Sequence, residues 1–414
     1  MKNEDFENIE RKIRRYGQEH LLDYYEKLPE GELKEKFEKQ LENIDFELID
    51  SLYRNTTKEV KNDDVTIEPI EYWDKERLGG KYDFYEEIGI EAIKKGKLAA
   101  VTMAGGQGTR LGHDGPKGTY DIGLDSHKCL FELLCDGLKE ANKKYEVTVP
   151  WFIMTSEENN EQTQDFFKQN RYFGYEKNVF FFTQGQLPMV DTEGKILIAE
   201  NGLIKEAADG HGGVYESIVK SGMLDKMKEL GVEWVFIGGV DNCLVRMVDP
   251  VLMGLAIYKE VTGAGKSVVK ANPQEKVGAF CKKNGKPNVI EYSEITPEMA
   301  EARDAAGELL YGESHILCNL FNISAIERMG NTPLPYHSAF KKATYIDKDG
   351  NKVVPDSPNA YKFEAFLFDA FQDLDDMVVL RVKREEEFAP VKNATGVDSP
   401  ETARDLYNKF HKLS

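Results

Sequence analysis

LAAVTMAGGQGTRLGHDGPKG, residues 98–118, passes from an apolar run into a loop that holds six glycines, one arginine and one lysine between Met103 and Gly118. The apolar half is short and unbroken, the pattern of a strand buried on both faces. The second half combines backbone freedom with cations. Glycine accepts positive φ and lets another molecule approach the main chain, so a cluster beside Arg110 and Lys117 predicts exposed N–H groups gathered around an anion, with phosphate the first candidate. A strand that ends in such a loop predicts an α/β sheet with its ligand at the carboxyl ends of the strands.

Outward from this stretch, PWFIMT, NVFFFT, EWVFIGGV and KSVVKA are further short apolar runs, separated by helical patterns such as LFELLCDGLKEANKK and VYESIVKSGMLDKMKEL. The alternation predicts a mainly parallel sheet covered on both faces, over residues 96–330. Before it, Phe6, Ile9, Ile13 and Tyr16, then Leu33, Phe37, Leu41, Ile44 and Leu48, recur at helical spacing, and a further helix is expected near Tyr85–Lys95. Residues 1–95 are expected to form a helical N-terminal region, with 56–80 as a connecting segment. Beyond 330, two prolines, a turn at Asp349-Gly350 and the charged run RVKREEEFAP predict a small α+β C-terminal domain, 331–414.

The formal charge of −19 argues against general affinity for nucleic acid or an anionic membrane, so an anionic ligand requires a local cationic pocket. Five scattered cysteines without a C-x-x-C pair argue against a disulfide framework or zinc knuckle and fit a reducing compartment. The opening MKNEDFENIE lacks a signal-peptide core and no apolar run is long enough to span a bilayer, so a cytoplasmic location is expected.

Three familiar motifs fail. The dinucleotide fingerprint requires glycine where Leu111 stands, and Walker A fails twice: Lys117 follows Pro116, and Gly265-Lys266-Ser267 has Glu260 at its first glycine. Asp347-Lys348-Asp349-Gly350 places its glycine too early for a calcium loop, so a hairpin turn is the plain reading.

AGGQGTRLG followed by GPKG resembles the signature of the sugar-nucleotide nucleotidyltransferases. SHKCLFELL, WFIMTSEENNEQT, FFTQGQLP, DGHGGVYESI, VDNCLVRMVDP, VGAFCKKNGKPNVIEYSEI, LPYHSAFKKATYID and REEEFAPVKNA extend the resemblance in order across residues 98–406. They narrow it to the UTP:sugar-1-phosphate uridylyltransferases, above all the UDP-N-acetylhexosamine pyrophosphorylases. The resemblance implies a Rossmann-like, GT-A-like catalytic domain with a mixed, mainly parallel sheet. It also implies a Mg²⁺-dependent reaction in which UTP and a sugar 1-phosphate give a UDP-sugar and pyrophosphate.

It further implies residue roles. Ala104, Gly105 and Gly106 would take uracil and ribose, as would Gln184, whose amide suits a base edge. Gly108, Thr109 and Arg110 would face the triphosphate, Lys117 the α- and departing phosphates, and Lys392 would reach the phosphates from the C-terminal part. Asp241, after EWVFIGGV, would hold Mg²⁺ and ribose. Gly210, His211 and Gly212 match a nucleotide-binding block, and Gly278, Glu291, His315 and Asn319 match sugar-facing positions. Lys341 and Lys342 are weaker matches of the phosphate-directed kind.

His211 and His315 stand where the N-acetylhexosamine branch has asparagine, and they resemble the glucose branch. Glucose 1-phosphate or a broad sugar range therefore stays open beside N-acetylhexosamine 1-phosphate. Two non-enzymatic readings stand as well: a sugar-nucleotide sensor, and an N-terminal interaction module built on the amphipathic helices.

Overall fold

The computed structural model describes residues 3–56 and 65–412, so part of the expected connecting segment, 57–64, lies outside the described residues. The chain divides into two compact units, one of residues 1–63, 185–213 and 334–366, the other of 64–184, 214–333 and 367–414. This differs from three consecutive regions with boundaries at 95 and 330.

In the first unit, helices Asn3–Arg15, Glu19–Lys27, Glu32–Asn43 and Phe46–Asn55 follow the predicted periodicity. Their apolar stripe is covered from within the chain. Ile13, Leu21, Phe37, Leu41 and Ile49 share one core with Val190, Ile196, Ile204 and Phe363. Gln18 pins the junction, donating from Nε2 to the Gly194 carbonyl at 2.8 Å and accepting from the Ile196 N–H at 2.9 Å. An amphipathic face buried this way is not a free docking surface, which removes the main support for an interaction module. The turn at Asp349-Gly350 closes a short hairpin between Tyr345–Ile346 and Lys352–Val353.

The second unit is built on a ten-stranded sheet. Its strands are β1 (Ile67–Pro69), β2 (Leu98–Met103), β3 (Trp151–Thr155), β4 (Val179–Thr183), β5 (Trp234–Gly239), β6 (Gly263–Val269), β7 (Ala279–Lys283), β8 (Lys286–Ile290), β9 (Glu313–Asn322) and β10 (Val378–Arg381). The main order is β1-β7-β9-β5-β2-β3-β4; β8 pairs with β7, and β6 pairs with β9 and β10. Neighbouring pairs among β5, β2, β3 and β4 are parallel, as are β6 and β10, whereas β9 runs antiparallel to β5 and β6. The sheet is therefore mixed, and the 56–80 segment, expected only to connect, contributes β1.

Helices Tyr82–Lys94 and Pro250–Tyr258 cross at two glycines. A Cβ on Gly89 would lie 1.8 Å from the Pro250 carbonyl oxygen, and one on Gly254 would lie 1.8 Å from that of Tyr85. Backbone cannot yield as a side-chain tip can. Gly89→Ala is expected to destabilise the protein by about 1–3 kcal/mol, read as a lower denaturant midpoint; an unchanged midpoint would contradict this packing.

Candidate active site

The glycine loop begins where β2 ends, at the carboxyl edge of the sheet. The Ala104 N–H donates to the Met154 carbonyl at 2.7 Å, which extends the ladder by one residue before the chain turns. Lys117 N–H to Gly106 O (3.1 Å) and Gly108 N–H to Gly115 O (2.9 Å) then fold the loop back on itself. Among the described residues, the N–H groups of Gly105, Gly106, Thr109 and Arg110 have no protein partner. The loop therefore has backbone donors to offer a ligand. Arg110 projects from the short turn Thr109–Leu111 and is exposed.

Gln184, just past β4, is buried against this loop. A Cβ at Gly105 would sit 2.3 Å from its Oε1, so the glutamine amide lies directly against this glycine and would have to move aside for any side chain there.

Asn159 was missed by sequence reasoning. Fully buried, it donates from Nδ2 to the Ala104 carbonyl at 2.9 Å and to that of Gly106 at 3.3 Å, while its Oδ1 accepts from the Ser156 N–H at 2.9 Å. It ties down the loop's carbonyls and leaves the N–H side open. In a run such as EENNEQT an asparagine reads as a helix start, and nothing in its spacing points to a loop far back in the chain.

Lys117 and Asp241, chosen for phosphate and metal, come together: Nζ lies 3.7 Å from Oδ2, with about a fifth of each side chain exposed. Asp241 follows β5, and β5 is paired with β2 at Gly239 and Met103. Among the described residues, no group of three histidine, cysteine, aspartate or glutamate side chains could hold a metal. A carboxylate at the carboxyl edge of the sheet is the kind of donor that suits Mg²⁺, an ion that keeps waters and takes few protein oxygens.

Lys392 lies close by through the main chain, since the Val391 N–H donates to the Asp241 carbonyl at 2.9 Å. Its own ammonium rests 3.7 Å from Asp398 and is largely exposed.

The four residues matched to sugar form one cluster. A Cβ on Gly278 would lie 3.1 Å from Glu291 Oε1. The His315 N–H donates to the Gly278 carbonyl at 2.9 Å, and His315 Nε2 lies 3.2 Å from Asn319 Oδ1. The register of β9 shifts between His315 and Asn319, with Leu317 at φ 56°, an uncommon conformation for a bulky residue. This bulge sits beside the end of β5: a Cβ on Gly239 would lie 3.2 Å from Leu317 and 2.8 Å from Asp241 Oδ1. The His315 ring meets Phe280, Phe368 and Phe371 edge-on, with centroids 5.0, 5.8 and 5.7 Å away. Sequence reasoning missed these phenylalanines and the bulge.

Buried polar atoms without a hydrogen-bond partner include Ser314 Oγ and Asn319 Nδ2 on β9 and Gln107 Oε1 and Ser156 Oγ by the glycine loop, with others, such as His20 Nδ1, in the first unit. Such atoms are rare in native structures and mark places where a ligand or water completes the bonding.

Gly210, His211 and Gly212 belong to the first unit. There the Gly212 N–H donates to the Ala365 carbonyl at 2.9 Å, and the His211 ring faces Phe366 at 5.5 Å. Lys341 ends an exposed strand, His337–Lys341, of the same unit. The false Walker lysine, Lys266, is fully buried in β6 between Asp249, 2.8 Å away, and Glu387. Burial alone would push its ammonium down, but the two carboxylates hold it above its ordinary value.

A mixed sheet whose strand ends carry a glycine loop and a lysine–aspartate pair fits a nucleotidyltransferase. Residues 46–402 match the family model described as UTP–glucose-1-phosphate uridylyltransferase. The chain is 37% identical over 424 residues to UDP-N-acetylglucosamine diphosphorylase 2 of Arabidopsis thaliana, covering 97% of this chain and 83% of the relative. It is also 37% identical to the UDP-N-acetylglucosamine pyrophosphorylase of Saccharomyces cerevisiae, covering 96% and 85%. The solved uridine diphosphate N-acetylglucosamine pyrophosphorylase from Trypanosoma brucei, in complex with inhibitor, superposes with a TM-score of 0.82 at 32% identity, covering 97% of this chain and 84% of that one. The chain belongs to the UTP:sugar-1-phosphate uridylyltransferase family, and it is an enzyme of nucleotidyl transfer. No helix among the described residues is long and apolar enough to cross a membrane.

Proposed function

We propose that this enzyme joins UTP to an N-acetylhexosamine 1-phosphate, N-acetylglucosamine 1-phosphate foremost, and releases pyrophosphate. Similarity over nearly the whole chain to relatives named for UDP-N-acetylglucosamine supports the sugar. The observation that carries the chemistry is the Lys117–Asp241 pair beside the glycine cradle.

The reaction is in-line attack by a phosphate oxygen of the sugar 1-phosphate on the α-phosphorus of UTP. One P–O bond forms, the bond to the β-phosphate breaks, and pyrophosphate leaves. The nucleophile is already ionised, so no general base is required, and the protein's work is to align two polyanions and offset their repulsion. Gly105, Gly106 and Gln184 hold the uracil and ribose. Gly108, Thr109 and Arg110 donate to the triphosphate, and Lys117 meets charge on the α- and departing phosphates, helped by Lys392. Asp241 would hold Mg²⁺, which when bound supplies positive charge at the phosphate oxygens. Glu291, Gly278, His315 and Asn319 face the sugar. A cytoplasmic site of action fits an enzyme that consumes UTP.

Steady-state pyrophosphate release with the 1-phosphates of N-acetylglucosamine, N-acetylgalactosamine, glucose and galactose tests the sugar. The N-acetylated pair is expected to exceed glucose in kcat/KM by about 100-fold, the order that one or two polar contacts and a fitted methyl pocket provide. The reverse ratio would assign glucose and make His211 and His315 its markers.

A further inference from the structure

The turn that carries Asp241 and the segment that carries Lys392 are far apart in sequence, yet they are bound together by one side chain. Asn242 is almost fully buried. Its Nδ2 donates to the Glu387 carbonyl at 2.7 Å, and its Oδ1 accepts from the Ala389 N–H at 2.9 Å and the Leu244 N–H at 3.2 Å. The backbone closes around it: Cys243 N–H to Ala389 O at 3.2 Å, and Val391 N–H to Asp241 O at 2.9 Å.

The far end of this seam is anchored too. Glu387 is buried in an ion pair with Lys266, which also holds Asp249 and donates to the Arg246 carbonyl at 3.1 Å. The Lys392 ammonium, by contrast, has a partly exposed contact with Asp398, of a kind worth about 0–1 kcal/mol, and lies 5.4 Å from the centre of the Phe388 ring on its own segment. Its position is therefore set largely by its backbone, which is held on one side by the Asp398 carbonyl, accepting from the Lys392 N–H at 2.7 Å, and on the other by the Asp241 turn, to which Asn242 joins the preceding residues.

We propose that Asn242 is a positioning residue, a clasp that fixes the segment 388–392 in register on the Asp241 turn so that Lys392 reaches the phosphates together with Lys117. Glu387, held by Lys266, is its anchor. The inference rests on the uridylyl-transfer reading and goes beyond it, since Asn242 itself touches no substrate.

A double-mutant cycle tests it on the full chain, with UTP, Mg²⁺ and the preferred sugar 1-phosphate. Asn242→Asp keeps both acceptor bonds and loses the donor to Glu387. It is expected to lower kcat by about 30-fold with the KM for UTP within about threefold, and Lys392→Ala to lower kcat by about 100-fold. The double variant is expected within about threefold of Lys392→Ala alone, because a clasp has nothing to position once the lysine is gone. Losses that multiply, or an unchanged kcat in Asn242→Asp, would overturn the clasp. If Asn242→Asp does not fold, Glu387→Gln, which loosens the anchor, runs through the same cycle under the same criteria. A parent enzyme that releases no pyrophosphate with any of the four sugars would remove the catalytic reading and the clasp together; an active parent with multiplying losses removes the clasp alone.

Discussion

Lys117→Ala lowers kcat by about 10³-fold while weakening UTP binding by no more than about tenfold. Lys117 sits at the cradle with its ammonium 3.7 Å from Asp241, in a partly enclosed setting where charge is less screened than in water. In the ground state its attraction to UTP is one of several. As the α–β bond breaks, charge accumulates on the departing pyrophosphate, and a preplaced cation contributes most at that moment; loss of one such group typically costs about 3–4 kcal/mol. Steady-state kinetics and titration calorimetry with UTP separate the two quantities. Equal losses in affinity and turnover would mean that Lys117 binds nucleotide without favouring the transition state, as a sensor would require.

Asp241→Asn is expected to lower kcat/KM by about 10²–10³-fold and to shift the Mg²⁺ dependence of the remaining activity to higher concentration. An amide keeps the shape of the side chain but lacks the charge that competes for a hydrated dication. Only about a fifth of the side chain is exposed, so the denaturant midpoint of the variant is measured alongside to separate lost activity from lost stability. A Mg²⁺ titration of pyrophosphate release decides it, and an unshifted midpoint would move the metal away from Asp241. Because Lys117 neutralises Asp241 across 3.7 Å, the two variants are expected to be non-additive.

These residues were legible in the sequence for a local reason. Strand, glycine loop and lysine lie within 98–118, and the short range of that stretch fixes most of its geometry. Gln184 and Asp241 were singled out by the family resemblance, and each follows an apolar run, which agrees with the rule that ligands gather at carboxyl ends of strands. The structure adds contacts that rule does not supply: Gln184 against Gly105, and Asp241 against Lys117.

What stayed hidden depends on pairings distant in sequence. Helical periodicity in residues 6–48 says that a face is buried but not against what, and the partner, residues 190–204, reads by itself as turns and short strands. The bulge between His315 and Asn319 leaves no mark, because ESHILCNLFN is a good strand whichever way its middle is registered. Asn159 and Asn242 look like ordinary turn asparagines, and their work appears only once remote carbonyls arrive beside them. Lys266, set aside in the sequence because its triplet fails the Walker spacing, proves to be buried in an ion pair.

The most direct test of the account is pyrophosphate release by the purified protein with UTP, Mg²⁺ and N-acetylglucosamine 1-phosphate, measured beside the same mixture without sugar and beside Lys117→Ala. The account predicts release that requires the sugar 1-phosphate and is nearly abolished in the variant. Measurable UTP or UDP-sugar binding without pyrophosphate release from any of the four sugar 1-phosphates would contradict it and leave a sugar-nucleotide sensor on a nucleotidyltransferase fold.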